Sequence, residues 1–403
     1  IPERILSAST DRNGILWIGT DAQGIYKVYT GRIHFNSFQE GVSHARPPLE
    51  DSRGRIWIAR SGLSLTSYYE LDVSETGELN PVPLYRDHFS SVIHSKKGGF
   101  WAIGSGRRIC YLSEAGSKST CVQSDKYYSF HVSFIEDHRG RICATTSDGQ
   151  LVIYDPATNA WMDWSFIDLQ EGNSAPFVSA IVEDNRGHLW LGSTNGLLEA
   201  VPDENGTNFQ FKRYDIRNGL SRDRILSLAI DPAHPDWLWI GTQHGLNRLE
   251  FSTGKIETLS LRDGLPNDVI YSIVVTNDSN LWAGTNAGLL RINHKSRRWQ
   301  HFTTADGLPC SEFNTGVATR LKDGRLLFGG VNGITLFNPD EVNISSNRPG
   351  IVITEMLVNS KPYTINPSAP VSLGYDENYL IFQFALLDFL HPSSNRYQYR
   401  LLG

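Results

Sequence analysis

Few residues in this sequence stand at spacings that could do chemistry. Twelve histidines and four cysteines are spread through 403 residues. No H-E-x-x-H pair, G-x-S-x-G turn or phosphate-binding glycine loop occurs, so the common hydrolase and nucleotide-binding arrangements have no footing here. No Cys/His spacing matches a zinc site, and neither a metal nor a cofactor is expected. Cys110 and Cys121 flank a turn in "CYLSEAGSKSTC". In a hairpin centred near Ala115 and Gly116 they face each other within disulfide reach, and two reduced, half-buried thiols are the alternative. A disulfide would favour an oxidising compartment. Cys143 stands where other segments carry Trp and reads as a small core residue. Cys310 has no evident partner. Asp11, Asp51, Asp137 and Asp184 recur at one turn position. A catalytic carboxylate has no reason to recur in every segment, so these read as turn caps bonding to backbone N–H groups.

The elements that carry these residues form a repeat. Aligned on the Trp of "LW", the units fall at Trp17, Trp57, Trp101, Cys143, Trp190, Trp239, Trp282 and Leu327, at steps of 40 to 49 residues. Such a period marks a propeller or solenoid. Each unit has an apolar β-rich run, a turn such as "DNRG", a short run such as "LWIGT", and a second turn ending in Gly. A third strand follows, and then a fourth with aromatics three apart, as in Phe35 and Phe38 or Trp161 and Trp164. Four short antiparallel strands repeated radially make β-propeller blades, and the class is all-β. Small residues ten positions before most of the Trp sites (Ser7, Ser91, Ser133, Ala180, Ser272, and Ser227 across the longer "DPAHPDW" turn) belong on crowded inner strands. The Trp residues read as wedges between blades. Eight motifs predict eight blades. Seven blades with one surplus unit is the alternative, because the last unit has no obvious fourth strand.

Functional residues should break the repeat. Loops between second and third strands, and between one blade and the next, share the face over the central channel. They offer Arg60, Arg107, Asp148, Gln243, His244, Asn286, Arg222 and His44 as candidate ligand-binding residues, with Asp21, Gln23, Asn195, Asn332, Arg46, Asp223, Asn267 and Asp268 beside them. Amide, guanidinium and carboxylate groups together suit a hydroxyl-rich or anionic ligand. Lys plus Arg number 37 and Asp plus Glu 43, for a net charge of −6. With no basic run, nucleic acid is not an expected partner. No apolar run reaches the length of a membrane span.

The motif D-x-x-G-x-[LI]-W-[IL]-G-T-x-x-G-[LI], with the linkers "DGLPNDVIYSI" and "NGLSRDRILSL" and the closing "DGLPCSEFNTG" and "FGGVNGITLFNP", resembles the repeat of the two-component regulator propeller family. The resemblance covers about residues 1–346. Ala59 and Arg60 replace Gly-Thr in the second unit, and Cys143 replaces Trp in the fourth. From residue 347 the pattern stops. "RPGIVITEMLVNSKPYTI" and "YQYRLLG", with Tyr397 and Tyr399, resemble the first half of the Ig-like triple-tyrosine (Y_Y_Y) module that follows such propellers. The resemblance implies a non-enzymatic periplasmic sensor region of an inner-membrane signalling protein. It implies a small-molecule or oligosaccharide ligand, attachment to the membrane through a helix C-terminal to this sequence, and homodimerisation. The kinase or cyclase output would lie outside this chain. A protein-binding propeller and a propeller polysaccharide lyase or glycosidase are the rival readings.

Overall fold

The computed structural model describes residues 4–11, 15–21, 23–29, 35–38, 47–61, 66–71, 79–83, 89–104, 108–113, 119–126, 130–166, 176–276, 279–342, 350–365 and 370–386, with residues 29, 38, 59–61, 66–70, 79–83, 131 and 132 described by their backbone alone. Among these residues there is no α-helix. The chain divides into two compact units: His34–Val342, and Ile1–Ile33 with Asn343–Gly403.

The larger unit is a ring of seven four-stranded antiparallel sheets. Six blades are contiguous, over residues 49–83, 89–123, 130–165, 178–214, 225–259 and 272–302, and their strands pair in chain order from the axis outward. The seventh takes three strands, Phe313–Arg320, Leu326–Gly330 and Gly333–Phe337, from the C-terminal side. Its fourth is β4, Asn36–Phe38, from the other end of the ring's sequence. Leu336 faces Asn36, and Ile334 faces Phe38. Phe35 anchors this seam, with its ring 5.0 Å from Phe337 and 5.6 Å from Phe302.

Eight motifs therefore give seven blades, not eight. The motif on Trp17 forms a separate three-stranded sheet, β1 (Ile5–Thr10), β2 (Ile15–Thr20) and β3 (Ile25–Tyr29), in the smaller unit. The strand that would have been its fourth is β4, spent on closing the ring. The smaller unit also holds a sheet of Ile351–Val358 flanked by Lys361–Pro362 and Leu380–Leu386. Ile351, Ile353, Phe382 and Phe384 of that sheet are exposed. Tyr397 and Tyr399 lie outside the described residues.

Each feature of the repeat has a physical role. In the first turn, Oδ1 of Asp184 accepts the N–H groups of Arg186 and His188, and Oδ2 accepts the indole N–H of Trp190 at 2.9 Å. Asp51 serves Arg53, Arg55 and Trp57 in the same way. The indole then packs into the next blade: Trp190 joins Leu228, Ile240 and Leu249 of blade five, and Trp57 joins Phe89 and Phe100 of blade two. Burying an indole removes roughly 150–250 Å² from water, about 4–6 kcal/mol before the entropy cost. Cys143, in the Trp position of blade three, is buried among Val178, Ile181 and Leu189 of blade four. Burial and the charge of Asp137 push its thiol well above the ordinary value, against the pull of Arg141. Blades two and six have Ser95 and Thr276 in place of Asp, and there the indole N–H groups of Trp101 and Trp282 have no acceptor among the described residues.

The Gly-Thr pair is equally specific. A Cβ on Gly241 would lie 2.4 Å from Ser227 Oγ and 2.6 Å from the Ile270 carbonyl oxygen, so only glycine lets the second strand lie over the small residues of the inner strands. The Thr242 hydroxyl donates to the Gly245 carbonyl and accepts the N–H of His244, closing the second turn. The same pair of bonds recurs at Thr285 and at Ser193. Between blades, "NGL" and "DGL" segments form short 3-10 turns with a capping box and a left-handed glycine, after which Leu220, Leu265 or Leu308 is buried.

Glutamate preceding the turn Asp latches neighbouring blades. Glu136 accepts the backbone N–H of Lys96 (2.8 Å), Glu183 that of His138 (2.7 Å), and Glu50 that of Lys322 (2.6 Å). The last of these joins blade one to blade seven. Cys110 and Cys121 sit directly opposite each other on the outer strands of blade two, and their sulfurs are bonded.

Candidate functional site

The inner strands run around an axial channel because their side chains are small. Ser133, Ala180, Ser227, Ser272, Thr315 and Gly316 line a cavity of about 180 Å³. Pro47 and Ser133 also border a second cavity of about 340 Å³, at the end of the inner strands that carries the first turns. This one is polar. Glu50, His94, Arg320 and Lys322 line it, each at or just beyond the end of an inner strand of blade one, two or seven.

Its groups are held from behind. Lys322 donates its backbone N–H to Glu50 and its Nζ to the Asp51 carbonyl at 2.9 Å. His94 Nδ1 lies 2.9 Å from the Ser95 carbonyl oxygen, while its Nε2 is buried without a hydrogen-bond partner. Two cations, an imidazole and one carboxylate around a void of this size can bind an anionic or hydroxyl-rich small ligand.

Of the residues singled out from the sequence, Asp148, Arg222, Gln243, His244 and Asn286 lie on the opposite face. Asp148, Asn286 and Arg222 are exposed in their turns, and Gln243 is half-buried. His244 is exposed with Nδ1 3.8 Å from Asp268 Oδ2. The turns are pinned to the following blade through backbone: Gly196 donates to the Asp223 carbonyl and Gly245 to that of Asp268, both at 2.7 Å. His44 and Arg107 lie outside the described residues, as does the side chain of Arg60. The structure brings His244 to Asp268, but none of Asp148, Arg222, Gln243, His244 and Asn286 lines either axial cavity.

At that same face Tyr271 is half-buried near Arg224 and Glu312, from three successive blades. Burial, reinforced by the Glu312 charge and opposed by Arg224, pushes its phenol above the usual value. Reading the second turns and the inter-blade loops missed this trio, and it missed Glu50, His94, Arg320 and Lys322. A signal for the latter existed: Leu321 replaces Asp in the D-x-x-G turn of blade seven, with Lys322 beside it in "LKDGR".

The sequence pattern described as "Two component regulator propeller" matches residues 172–195 and 264–287. A stretch of 104 residues, 23% of this chain and 8% of the relative, is 23% identical to a histidine kinase of Formosa agariphila. The fold is that of the extracellular domain of a protein of B. thetaiotaomicron described as a hybrid two component system, with TM-score 0.69 and 20% identity over 96% of this chain and 53% of that one. A second such domain from B. thetaiotaomicron gives TM-score 0.60 and 16% identity over 96% and 54%. Virginiamycin B lyase from Staphylococcus aureus gives TM-score 0.54 and 12% identity over 75% and 98%. The chain spans about half the length of the B. thetaiotaomicron domains it matches. Two copies of its recurring unit thus match the two-component regulator propeller pattern.

Proposed function

We propose that this chain, built on the two-component regulator propeller repeat, is the ligand-sensing part of a transmembrane signalling protein and works in the periplasm. The supporting observation is the 340 Å³ axial cavity with Glu50, His94, Arg320 and Lys322 on its wall. Its lining comes from blades one, two, three and seven, so a ligand there bridges the junction at which the ring closes. A saccharide bearing carboxylates fits the groups present: guanidinium and ammonium for the anion, carboxylate and imidazole for hydroxyls. Binding shifts a conformational equilibrium only if two arrangements differ in affinity for the ligand. A closed seam that completes the site, against a loosened one that does not, supplies that difference. The sheet from Ile351 onward is then the start of an Ig-like relay toward the membrane.

A binding role fits this wall better than hydrolysis. Glycosidases need two carboxyl groups, roughly 5 to 9.5 Å apart, across the scissile bond. Glu50 is the one carboxylate among the described residues lining the two axial cavities.

The test is a thermal-shift screen of the chain with uronic-acid oligosaccharides, neutral oligosaccharides and peptides, followed by product analysis of each hit. A ligand at 100 times its Kd should add roughly 2.7 kcal/mol to the folded state. A saturable shift with intact ligand, lost in Arg320→Ala and Lys322→Ala, is the expected result. Consumption of the ligand would replace the sensor with an enzyme. A shift seen only with peptides would favour a protein partner.

A further inference from the structure

Blade five departs from the repeat at its first turn. Where other blades read "DNRG" or "DSRG", this one reads "DPAHPDW". Asp231 still caps the turn. Its Oδ1 accepts the N–H groups of Ala233 and His234, and its Oδ2 accepts the Trp239 indole at 3.2 Å. The longer turn folds His234 back over Trp237, with ring centroids 4.1 Å apart and planes 13° from parallel. This places His234 Nδ1 3.4 Å from Asp231 Oδ1. From the turn between the third and fourth strands of blade six comes His294, whose side chain is 2% exposed and whose Nε2 is 3.9 Å from Asp231 Oδ2.

One ligand atom from each of these three residues lies within 4.8 Å of the others. The Nδ1 and Nε2 of His294, and the Nδ1 of His234, are buried and have no hydrogen-bond partner among the described residues. A buried polar group left unpaired costs about 1–3 kcal/mol, so a cluster of three demands a partner. Arg248 lies close by, over the Trp237 ring, but its charge is met by Glu257 at 2.8 Å. A cavity of about 20 Å³, bordered by Trp239, Arg248, Glu257 and Thr258, touches the cluster at His294 alone and has room for about one water.

We propose that Asp231, His234 and His294 form a binding site for a divalent transition-metal ion of the zinc class, clipping the first turn of blade five to the outer turn of blade six. Two imidazole nitrogens and one carboxylate oxygen suit zinc, whereas magnesium and calcium call for oxygen donors throughout. Bonds of about 2.0–2.2 Å require the three side chains to draw together slightly, which the half-exposed His234 can do by rotating on Trp237. Water would complete a four-coordinate site.

The experiment uses the whole chain, stripped with a chelator and titrated with Zn²⁺, with Co²⁺ as a spectroscopic probe and Mg²⁺ as control. One Zn²⁺ per chain, a raised Tm and a Co²⁺ ligand-field spectrum with nitrogen ligation are expected, with no response to Mg²⁺. The partly exposed His234→Ala should fold as the parent does and weaken Zn²⁺ binding by more than about 100-fold. His294→Gln should do the same where it folds. Absence of saturable Zn²⁺ binding, or binding left unchanged by His234→Ala, would overturn the site and leave the imidazoles as packing among Trp237 and Trp239.

Discussion

The indole of Trp190 donates to Oδ2 of Asp184 at 2.9 Å, and this one bond ties the first turn of blade four to its interface with blade five. Asp184→Ala removes the acceptor of the indole and of two backbone N–H groups. The expected cost is about 2–3 kcal/mol in urea unfolding, and about 1 kcal/mol for Asp184→Asn, which keeps the shape. Trp101 supplies an internal control, since its indole N–H has no acceptor among the described residues. Trp190→Phe should therefore cost about 1 kcal/mol more than Trp101→Phe.

These carboxylates also set the acid limit. Burial raises the carboxyl of Asp184, but bonds from Arg186, Trp190 and the His188 backbone outweigh it and hold it below the ordinary value. Asp51 is lowered in the same manner, with burial opposed by Arg55 and Trp57. A carboxyl lowered on folding stabilises the fold above its unfolded value of about 3.9, and the contribution is lost as pH falls through the folded value. Thermal scans from neutral pH downward should show Tm steady to about pH 4 and falling below it. Asp184→Asn should flatten that fall.

Gly241 tests the fit between second and inner strands. Gly241→Ala should destabilise by about 1–3 kcal/mol through overpacking. Adding Ser227→Ala should recover only part of the loss, because the Ile270 carbonyl oxygen would still stand 2.6 Å from the new Cβ. Full recovery in the double variant, read by chemical denaturation, would contradict this account.

Phe35 tests closure of the ring. It is buried against Phe302 and Phe337, beside a β4 that pairs with the last strand of blade seven. Phe35→Ala should cost about 3 kcal/mol. Hydrogen exchange should rise first along Gly333–Phe337, the strand that β4 covers.

What recurs was legible in the sequence, and what joins distant repeats was not. The turn role of Asp51 and Asp184, the Trp wedges, the small inner residues and the buried Cys143 follow from local spacing, because strand period and turn chemistry act over a few residues. The blade count turned on β4, whose partner strand lies at the other end of the ring's sequence, and a three-residue strand has too little pattern to declare its neighbour. The candidate site turned on which end of the channel opens. Loop composition favoured the face of Gln243, His244 and Asn286, yet the larger cavity gathers Glu50, His94, Arg320 and Lys322 from opposite ends of the ring's sequence. His294 could not be joined to Asp231 and His234 by spacing alone, since one turn of blade six had to be set against one of blade five.

The seam at β4 also imposes a schedule on synthesis. Residues 36–38 meet residues 334–336. At about 5–20 residues per second, β4 leaves the ribosome roughly 15–60 s before its partner strand exists. Through that interval six blades can stack on one another, but the aromatic ring of Phe35 lacks its contact with Phe337 and the ring of blades has a raw edge at each end. The newborn ring is thus an open horseshoe until its final blade arrives, and its vulnerability to aggregation depends on translation speed between β4 and residues 334–336 rather than on the stability of any single blade.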